Sequence, residues 1–252
     1  MEIISIVNQK GGVGKSTTAV NLGSYLAQLK KKVLLLDIDP QGNATSGVGV
    51  DKSSIENCIY SVLIEGVDLK KAMYNTKMEG LDLIPATLEL AGAEIELVSV
   101  ISREYRIKQL LEEIKDDYDY ILIDCPPSLG LLTLNALSAA DSVLIPIQCE
   151  YYALEGLSQL LNTIELVRGG LNPDLRISGV LLTMYDGRTN LSEQVSCEVK
   201  THFDDLVYNT IIPRNIRLSE APSFGEPINL YDKDSRGAKA YLNLAKEVVE
   251  NG

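Results

Sequence analysis

Residues 8–20 read NQKGGVGKSTTAV, and they directly follow the apolar run IISIV at positions 3–7. A buried strand, a glycine-rich turn and then a helix form the context in which such a turn binds phosphate. The usual pattern, G-x-x-x-x-G-K-[ST], has a glycine where this chain has Gln9. A second lysine, Lys10, stands ahead of the expected Lys15. The stretch therefore predicts a phosphate-binding loop of a variant type, with one lysine more than the usual loop carries.

The residue types in this loop suit the phosphates of a nucleotide. Gly11, Gly12 and Gly14 let backbone N–H groups approach phosphate oxygens with no Cβ in the way. The helix that begins near Ser16 directs its positive end at the same oxygens. Lys15 can reach the β- and γ-phosphates, and the Ser16 hydroxyl can ligate Mg²⁺. A glycine turn that only joins a strand to a helix is the alternative, and the Gly-Lys-Ser sequence after a buried strand disfavours it.

Two further acidic segments are typical of the same site. In YDYILIDCPPSLG, an apolar strand ends at Asp124, which suits a Mg²⁺ role through water because Mg²⁺ keeps several of its waters. In VLLLDIDPQGNAT, Asp39 lies nearer the mouth of the loop than Asp37 and could position the attacking water or hold the Mg²⁺ shell. Asp37 could instead satisfy backbone donors, so the sequence favours Asp39 only modestly.

Composition narrows the function classes. The chain has 252 residues, of which 45% are hydrophobic and 23% charged, enough for the core of one large domain. A formal charge of −12 argues against a protein that coats nucleic acid, although it permits a small local basic patch.

The single histidine, His202, ends an amphipathic helical pattern, which argues against catalysis or metal binding by histidine. The four cysteines form no CxxC pair, and no signal peptide or membrane span is indicated, so a reducing cytoplasm is expected.

Short apolar runs alternate with helical patterns along the whole chain. Several runs are apolar at consecutive positions, which predicts a mostly parallel sheet covered by helices on both faces. We expect one doubly wound α/β domain over residues 1–252. The predicted strands are 2–8, 32–37, 81–85, 118–124, 142–147, 177–184 and 207–212, and the predicted helices are 16–29, 103–115, 153–168, 192–203 and 235–249.

The motifs together resemble a known family. KGGVGKSTT, DIDPQGNAT and DYILIDCPPSLG are similar to the deviant Walker-A ATPases of the P-loop NTPase fold. QCEYYALEGL and IPRNIRLSEAPSFGEPI resemble specifically the ParA/Soj partitioning ATPases of chromosomes and plasmids. The resemblance extends from residue 2 to about residue 249, without a departure at the motif positions.

The resemblance implies an ATP-dependent switch with ATP and Mg²⁺ as cofactors. Proteins of this family sandwich two ATP molecules between two subunits, and the lysine that matches Lys10 reaches the partner's nucleotide. Gly12 matches a position where the two loops approach and a side chain would clash. Asp39 matches the residue that positions the hydrolytic water, and Ser16 and Asp124 match residues associated with Mg²⁺. The implied nucleotide contacts are Lys10, Gly11, Gly12, Val13, Gly14, Lys15, Ser16 and Thr17, with Met184 and Pro213 at the adenine.

The resemblance also implies macromolecular partners. The ATP dimer of the family binds double-stranded DNA without sequence specificity, and Arg188 and Arg217 match arginines implicated in that binding. From the residues alone, each is an exposed or ion-paired surface arginine. A ParB-type protein with a basic N-terminal segment stimulates hydrolysis in this family. The implied location is the cytoplasm, in association with the nucleoid.

Three other functions share some of these features. A MinD-like membrane ATPase needs a basic amphipathic C-terminal extension, whereas the pattern of residues 235–249 carries balanced charge and favours packing on the core. A redox protein like the nitrogenase iron protein needs two suitably placed cysteines in each subunit. A small-molecule kinase is disfavoured because no motif for an acceptor site is apparent.

Overall fold

A central seven-stranded sheet organises the computed structural model, which describes residues 1–150 and 156–251. The strands lie in the order β3-β4-β2-β5-β1-β6-β7, and all pairs are parallel except β3 with β4. The strands are β1 (Glu2–Ile6), β2 (Val33–Asp37), β3 (Tyr74–Asn75), β4 (Leu81–Ile84), β5 (Tyr120–Asp124), β6 (Ser142–Gln148) and β7 (Arg176–Thr183).

Helices cover both faces of this sheet. Alternate residues of the central strands enter two separate hydrophobic clusters: Leu34 and Leu36 belong to one, and Val33 and Leu35 to the other. Both faces are therefore buried, which is why the strands are apolar at consecutive positions. The helices of the described ranges are α1 (Lys15–Gln28), α2 (Asn43–Gly47), α3 (Ile59–Ile64), α4 (Leu90–Glu96), α5 (Arg106–Glu112), α6 (Leu131–Ala139), α7 (Leu157–Gly170), α8 (Asn190–Phe203), α9 (Ile216–Glu220), α10 (Ile228–Tyr231) and α11 (Arg236–Asn251).

The predicted doubly wound α/β fold is confirmed, with one error among the predicted strands and one omission. Residues 207–212 are not a strand: they lie beside β7 through one isolated bridge, Val207 with Val180, and two backbone hydrogen bonds. The amides of Asn209 and Thr210 instead donate to the Glu247 carboxylate of α11, at 2.7 and 3.0 Å. The omitted element is β3, which the sequence did not indicate because two residues are too few for a periodic pattern. The other six predicted strands agree with the structure within two residues at each end.

The predicted helices differ from the structure mainly at their ends. The region 103–115 is broken into the 3₁₀ turn Arg103–Tyr105, α5 and the 3₁₀ turn Lys115–Asp117. The helix expected over 153–168 is α7, which begins at Leu157, and residues 153–155 lie outside the described residues. The part of the QCEYYALEGL motif at 151–155 lies outside them as well.

The C-terminal helix packs on the core, as predicted. Tyr241, Leu244 and Val248 of α11 are buried in the same cluster as residues of α1. The Tyr241 hydroxyl lies 3.1 Å from the Thr18 hydroxyl in this interface. Within the described residues, 1–150 and 156–251, no helix combines the length and apolar character needed to cross a membrane.

The cysteines are unpaired and differ in exposure. Cys58, Cys125 and Cys149 are buried, whereas Cys197 is exposed on α8. Burial raises the pKa of the Cys149 thiol to about 11 and that of Cys125 well above its usual range. These two buried thiols are therefore protonated and unreactive at neutral pH.

Candidate active site

The predicted site residues meet because three neighbouring parallel strands end at one edge of the sheet. Asp124 ends β5, and it is in register with Ile6 of β1 and with Asp37 of β2. The loop after β1 carries the glycine-rich stretch, and the turn after β2 carries Asp39. Ligands of open α/β sheets bind at this carboxyl edge.

Backbone geometry in the loop requires glycine at two positions. Gly12 and Gly14 have φ angles of 74° and 92°, in the left-handed region that residues with a Cβ rarely adopt. Gly14 precedes α1, whose first turn has no side-chain cap. The N–H groups of that turn therefore face the loop and can donate hydrogen bonds to an anion.

Hydrogen bonds to β6 and β7, which lie on one side of β1, hold the loop. The Asn8 side chain donates to the Pro146 carbonyl at 2.7 Å and accepts from the Lys10 amide at 2.9 Å. Thr183, the last residue of β7, donates to the Val13 carbonyl at 2.8 Å. Sequence analysis missed Asn8 and Thr183, although each follows or ends a strand at this edge, and that position could have identified them.

The two lysines of the loop have different surroundings. Lys15 is buried, and its ammonium donates to the Lys10 carbonyl at 3.3 Å. Burial lowers the Lys15 pKa, while the charges of Asp124 and Asp39 act in the opposite direction. Lys10 is half-buried, and its ammonium contacts no hydrogen-bond acceptor or carboxylate among the described residues. Gly11 and Gly12 beside it are exposed, and a Cβ on either would meet nothing within 4 Å.

Asp124 has the properties of a side chain that binds a cation. It is fully buried, and neither carboxylate oxygen has a hydrogen-bond partner among the described residues. Burial and the nearby Asp37 raise the Asp124 pKa well above its usual range, despite the nearby positive charge of Lys15. Unpaired buried oxygens of this kind are costly unless a ligand satisfies them. The residues present therefore fit a Mg²⁺ that Ser16 and Asp124 approach, directly or through water.

No group of three or more His, Cys, Asp or Glu side chains in the described part of the chain could hold a metal by itself. A Mg²⁺ that takes most of its oxygens from phosphate and water does not need such a group.

Asp37 and Asp39 take separate positions after β2 and have different hydrogen-bond partners. Asp37 accepts hydrogen bonds from the Asp39 amide and from both the amide and the hydroxyl of Thr45. Its burial raises its pKa to about 6 despite these bonds. Asp37 thus satisfies backbone donors. Asp39 lines the cavity in front of the loop, and among the described residues its carboxylate accepts a hydrogen bond from the Gln41 amide alone.

Two adjoining cavities share part of their lining. The first, of about 550 Å³, lies at the loop, and the second, of about 570 Å³, lies between β7 and α9. Gly14, Thr17, Met184 and Pro222 line both, and Pro213 lines the second. Met184 and Pro213 therefore both line the second cavity, which adjoins the loop. The remaining predicted site residues that line the first cavity are Gly11, Gly12, Lys15, Ser16 and Asp39.

The two arginines lie outside these cavities, on the surface. The side chain of Arg188 is 86% exposed, and its guanidinium donates two hydrogen bonds to Asp186, at 2.9 and 2.7 Å. Arg217 lies 2.9 Å from Glu220 and 3.3 Å from Asp232. Both arginines are therefore exposed and ion-paired within the chain.

Known proteins share this fold and sequence over the whole chain. A family model described as an AAA domain matches residues 1–177. The sporulation initiation inhibitor protein Soj of Bacillus subtilis is 66% identical over 251 residues, which cover 100% of this chain and 99% of that protein. The chromosome partitioning protein ParA of Myxococcus xanthus is 55% identical over 248 residues, which cover 98% of this chain and 88% of that protein.

A solved structure with the same fold carries a nucleotide. It is a cobyrinic acid a,c-diamide synthase from Mycobacterium smegmatis with bound ATP analogue and magnesium, and it covers 99% of this chain and 95% of its own at a TM-score of 0.88 and 38% identity. Sequence and fold agree, and the chain belongs to the Soj/ParA family of chromosome-partitioning ATPases.

Proposed function

We propose that this ATPase is a dimerisation switch that binds nonspecific DNA as its ATP dimer and acts in chromosome or plasmid partitioning. In this proposal, a ParB-type partner stimulates hydrolysis, and the protein acts in the cytoplasm at the nucleoid. The observation that carries the proposal is the contrast between the two loop lysines, since Lys15 is buried in its own loop and Lys10 lacks a partner within the described chain.

Within one subunit, the residues bind and orient MgATP. Backbone N–H groups of the loop and of the first turn of α1 hold the phosphates, and Lys15 neutralises charge on them. Ser16 and Asp124 hold the Mg²⁺, which, when bound, offsets the charge that develops on the transferring phosphoryl group. Asp39, on the cavity wall, orients the water that attacks the γ-phosphorus. Met184 and Pro213 contact the adenine.

The second subunit completes the site. Lys10 would add a positive charge where the transferring phosphoryl group is most negative, which stabilises the transition state. Because this lysine comes from the partner, a complete site forms only in the dimer. The exposed glycines beside Lys10 give two such loops room to approach each other.

Dimerisation also supports the DNA-binding part of the proposal. Arg188 and Arg217 are single exposed arginines on a chain of net charge −12, so one subunit presents only a weak patch. Two subunits side by side double the number of phosphates that the protein binds, and affinity rises with that number.

The membrane-associated alternative finds no support in α11. Its apolar face, formed by Tyr241, Leu244 and Val248, is buried in the cluster that contains α1, so this face is not available to a lipid surface.

Size-exclusion chromatography with ATP, with ADP and without nucleotide tests the proposal, each with and without a DNA fragment of random sequence. We expect a dimer only with ATP, and co-elution with DNA only in that state. A single elution volume in all nucleotide states would contradict the switch, and DNA binding by the nucleotide-free monomer would contradict the coupling.

A further inference from the structure

Lys52 contacts the turn that carries Asp39, although it belongs to none of the sequence motifs described above. Lys52 lies in the 3₁₀ turn after α2, and its ammonium donates to the Gln41 carbonyl. Gln41 itself lines the cavity at the loop, two residues beyond Asp39. A hydrogen bond from an ammonium is stronger than one between neutral groups.

The stem of Lys52 also packs against the turn. Gly42 has a φ of 58°, and a Cβ built on it would lie 2.7 Å from Lys52 Cε and 2.8 Å from the Ala86 carbonyl oxygen. Lys52 therefore covers the open face of Gly42 while its ammonium binds the preceding carbonyl. One side chain thus contacts two consecutive residues of the turn.

Three further hydrogen bonds lie within the turn, and others join it to Asp124 of β5 and to α2. The Asp39 amide donates to Asp37, the Gln41 amide donates to Asp39 Oδ1 and the Gly42 amide donates to the Asp39 carbonyl. Each of these bonds lies within residues 37–42, and each leaves the Gln41 carbonyl free. Among the described residues, Lys52 alone connects the Gln41 carbonyl to another element, the 3₁₀ turn after α2.

We propose that Lys52 is a positioning residue for hydrolysis, which fixes the turn so that Asp39 keeps the attacking water in line. This inference rests on the proposed role of Asp39. Lys52 does not reach the nucleotide cavity, so it affects the rate of the chemical step and leaves ATP binding unchanged. A small displacement of a water-orienting group is enough for a large loss of rate.

Steady-state hydrolysis by the full chain, with the Kd of a fluorescent ATP analogue, tests the proposal. Lys52→Ala should lower kcat about ten-fold, the loss expected for one hydrogen bond from a charged group, at unchanged KM and Kd. Lys52→Arg should restore most of kcat, because it can still donate to the Gln41 carbonyl. Lys70→Ala is the matched control, since it removes an exposed lysine from another 3₁₀ turn with the same change in net charge.

A double variant separates this inference from the role of Asp39. If Lys52 acts through Asp39, adding Lys52→Ala to Asp39→Ala should lower the residual single-turnover rate no further. An unchanged kcat in Lys52→Ala, beside an impaired Asp39→Ala, would overturn the Lys52 inference alone. Wild-type hydrolysis in Asp39→Ala would instead overturn the proposed role of Asp39. A raised KM in Lys52→Ala that Lys52→Arg does not rescue would assign Lys52 to binding or to folding.

Discussion

Two lysines five positions apart in one loop differ because of where their ammonium groups lie. Lys15 is buried behind its own loop, and Lys10 stands beside exposed glycines on the outer surface. The same residue type can therefore serve its own nucleotide at one position and a neighbour's at the other.

Replacing Lys15 and Lys10 by alanine, one at a time, should separate nucleotide binding from dimerisation. Lys15→Ala should abolish nucleotide binding, because the phosphates lose their buried counter-charge. Lys10→Ala should bind ATP as a monomer with near-normal affinity and form no ATP-dependent dimer. Fluorescent-nucleotide titration and sedimentation velocity measure the two properties. Normal dimers in Lys10→Ala would refute the trans role of this lysine.

Replacement of Asp39 should affect turnover and leave assembly intact. Asp39→Ala should trap an ATP dimer that hydrolyses slowly, because the attacking water loses the carboxylate that orients it. Phosphate release and sedimentation with ATP measure both effects. Asp116→Ala removes an exposed carboxylate at the opposite edge of the sheet and should behave as wild type. Rapid turnover in Asp39→Ala would assign the water to another group.

The residue types of the site were predictable from sequence, and their contacts were not. Glycine spacing and the two strand-end acids identify the phosphate site from a single chain. Lys52 could not be found in this way, because its role depends on a contact between segments that carry no common motif. The sequence offered hydrogen bonding to backbone donors as a role for Asp37, but it did not identify the partner Thr45, which lies eight positions away on α2.

At the level of elements, burial decided what could be predicted. The parallel strands are apolar on both faces, so their runs are visible in the sequence. Residues 207–212 also contain apolar residues at both ends. The amides of Asn209 and Thr210, which would pair with a neighbouring strand, instead donate hydrogen bonds to the Glu247 side chain of α11. Long-range competition of this kind leaves no local pattern.

The packing of α11 leads to a stability prediction. Leu244→Ala should lower the free energy of unfolding by about 2–5 kcal/mol, because it opens a cavity in a fully buried contact with α1. Urea denaturation measures the change. Leu166→Ala, at a side chain that is 76% exposed on α7, should change it by less than about 0.5 kcal/mol. A stable Leu244→Ala variant that had lost affinity for anionic vesicles would instead indicate a membrane role for α11.

For the whole molecule, electrostatics governs how an acidic chain can bind DNA. Arg188→Glu and Arg217→Glu should each abolish retention of DNA by the ATP dimer while dimerisation persists. Milder changes to glutamine should reduce the slope of log K against log salt by about 1 for each phosphate that the variant no longer binds. Filter binding at several salt concentrations measures retention and slope.

A matched control addresses the change in net charge. Arg176→Glu alters the net charge equally, but Arg176 lies at the amino end of β7, at the opposite edge of the sheet from the loop, where it pairs with Glu2. DNA retention should survive in this variant. Unchanged retention in Arg188→Glu and Arg217→Glu at every salt concentration would show that DNA binds elsewhere.

The uneven exposure of the cysteines provides a natural attachment point for a probe. Because Cys58, Cys125 and Cys149 are buried and Cys197 is exposed, a maleimide dye should label the unmodified sequence at α8. A mixture of donor- and acceptor-labelled protein would then report subunit association by energy transfer as ATP is added and consumed. The assembly cycle can thus be followed in real time without a single engineered substitution.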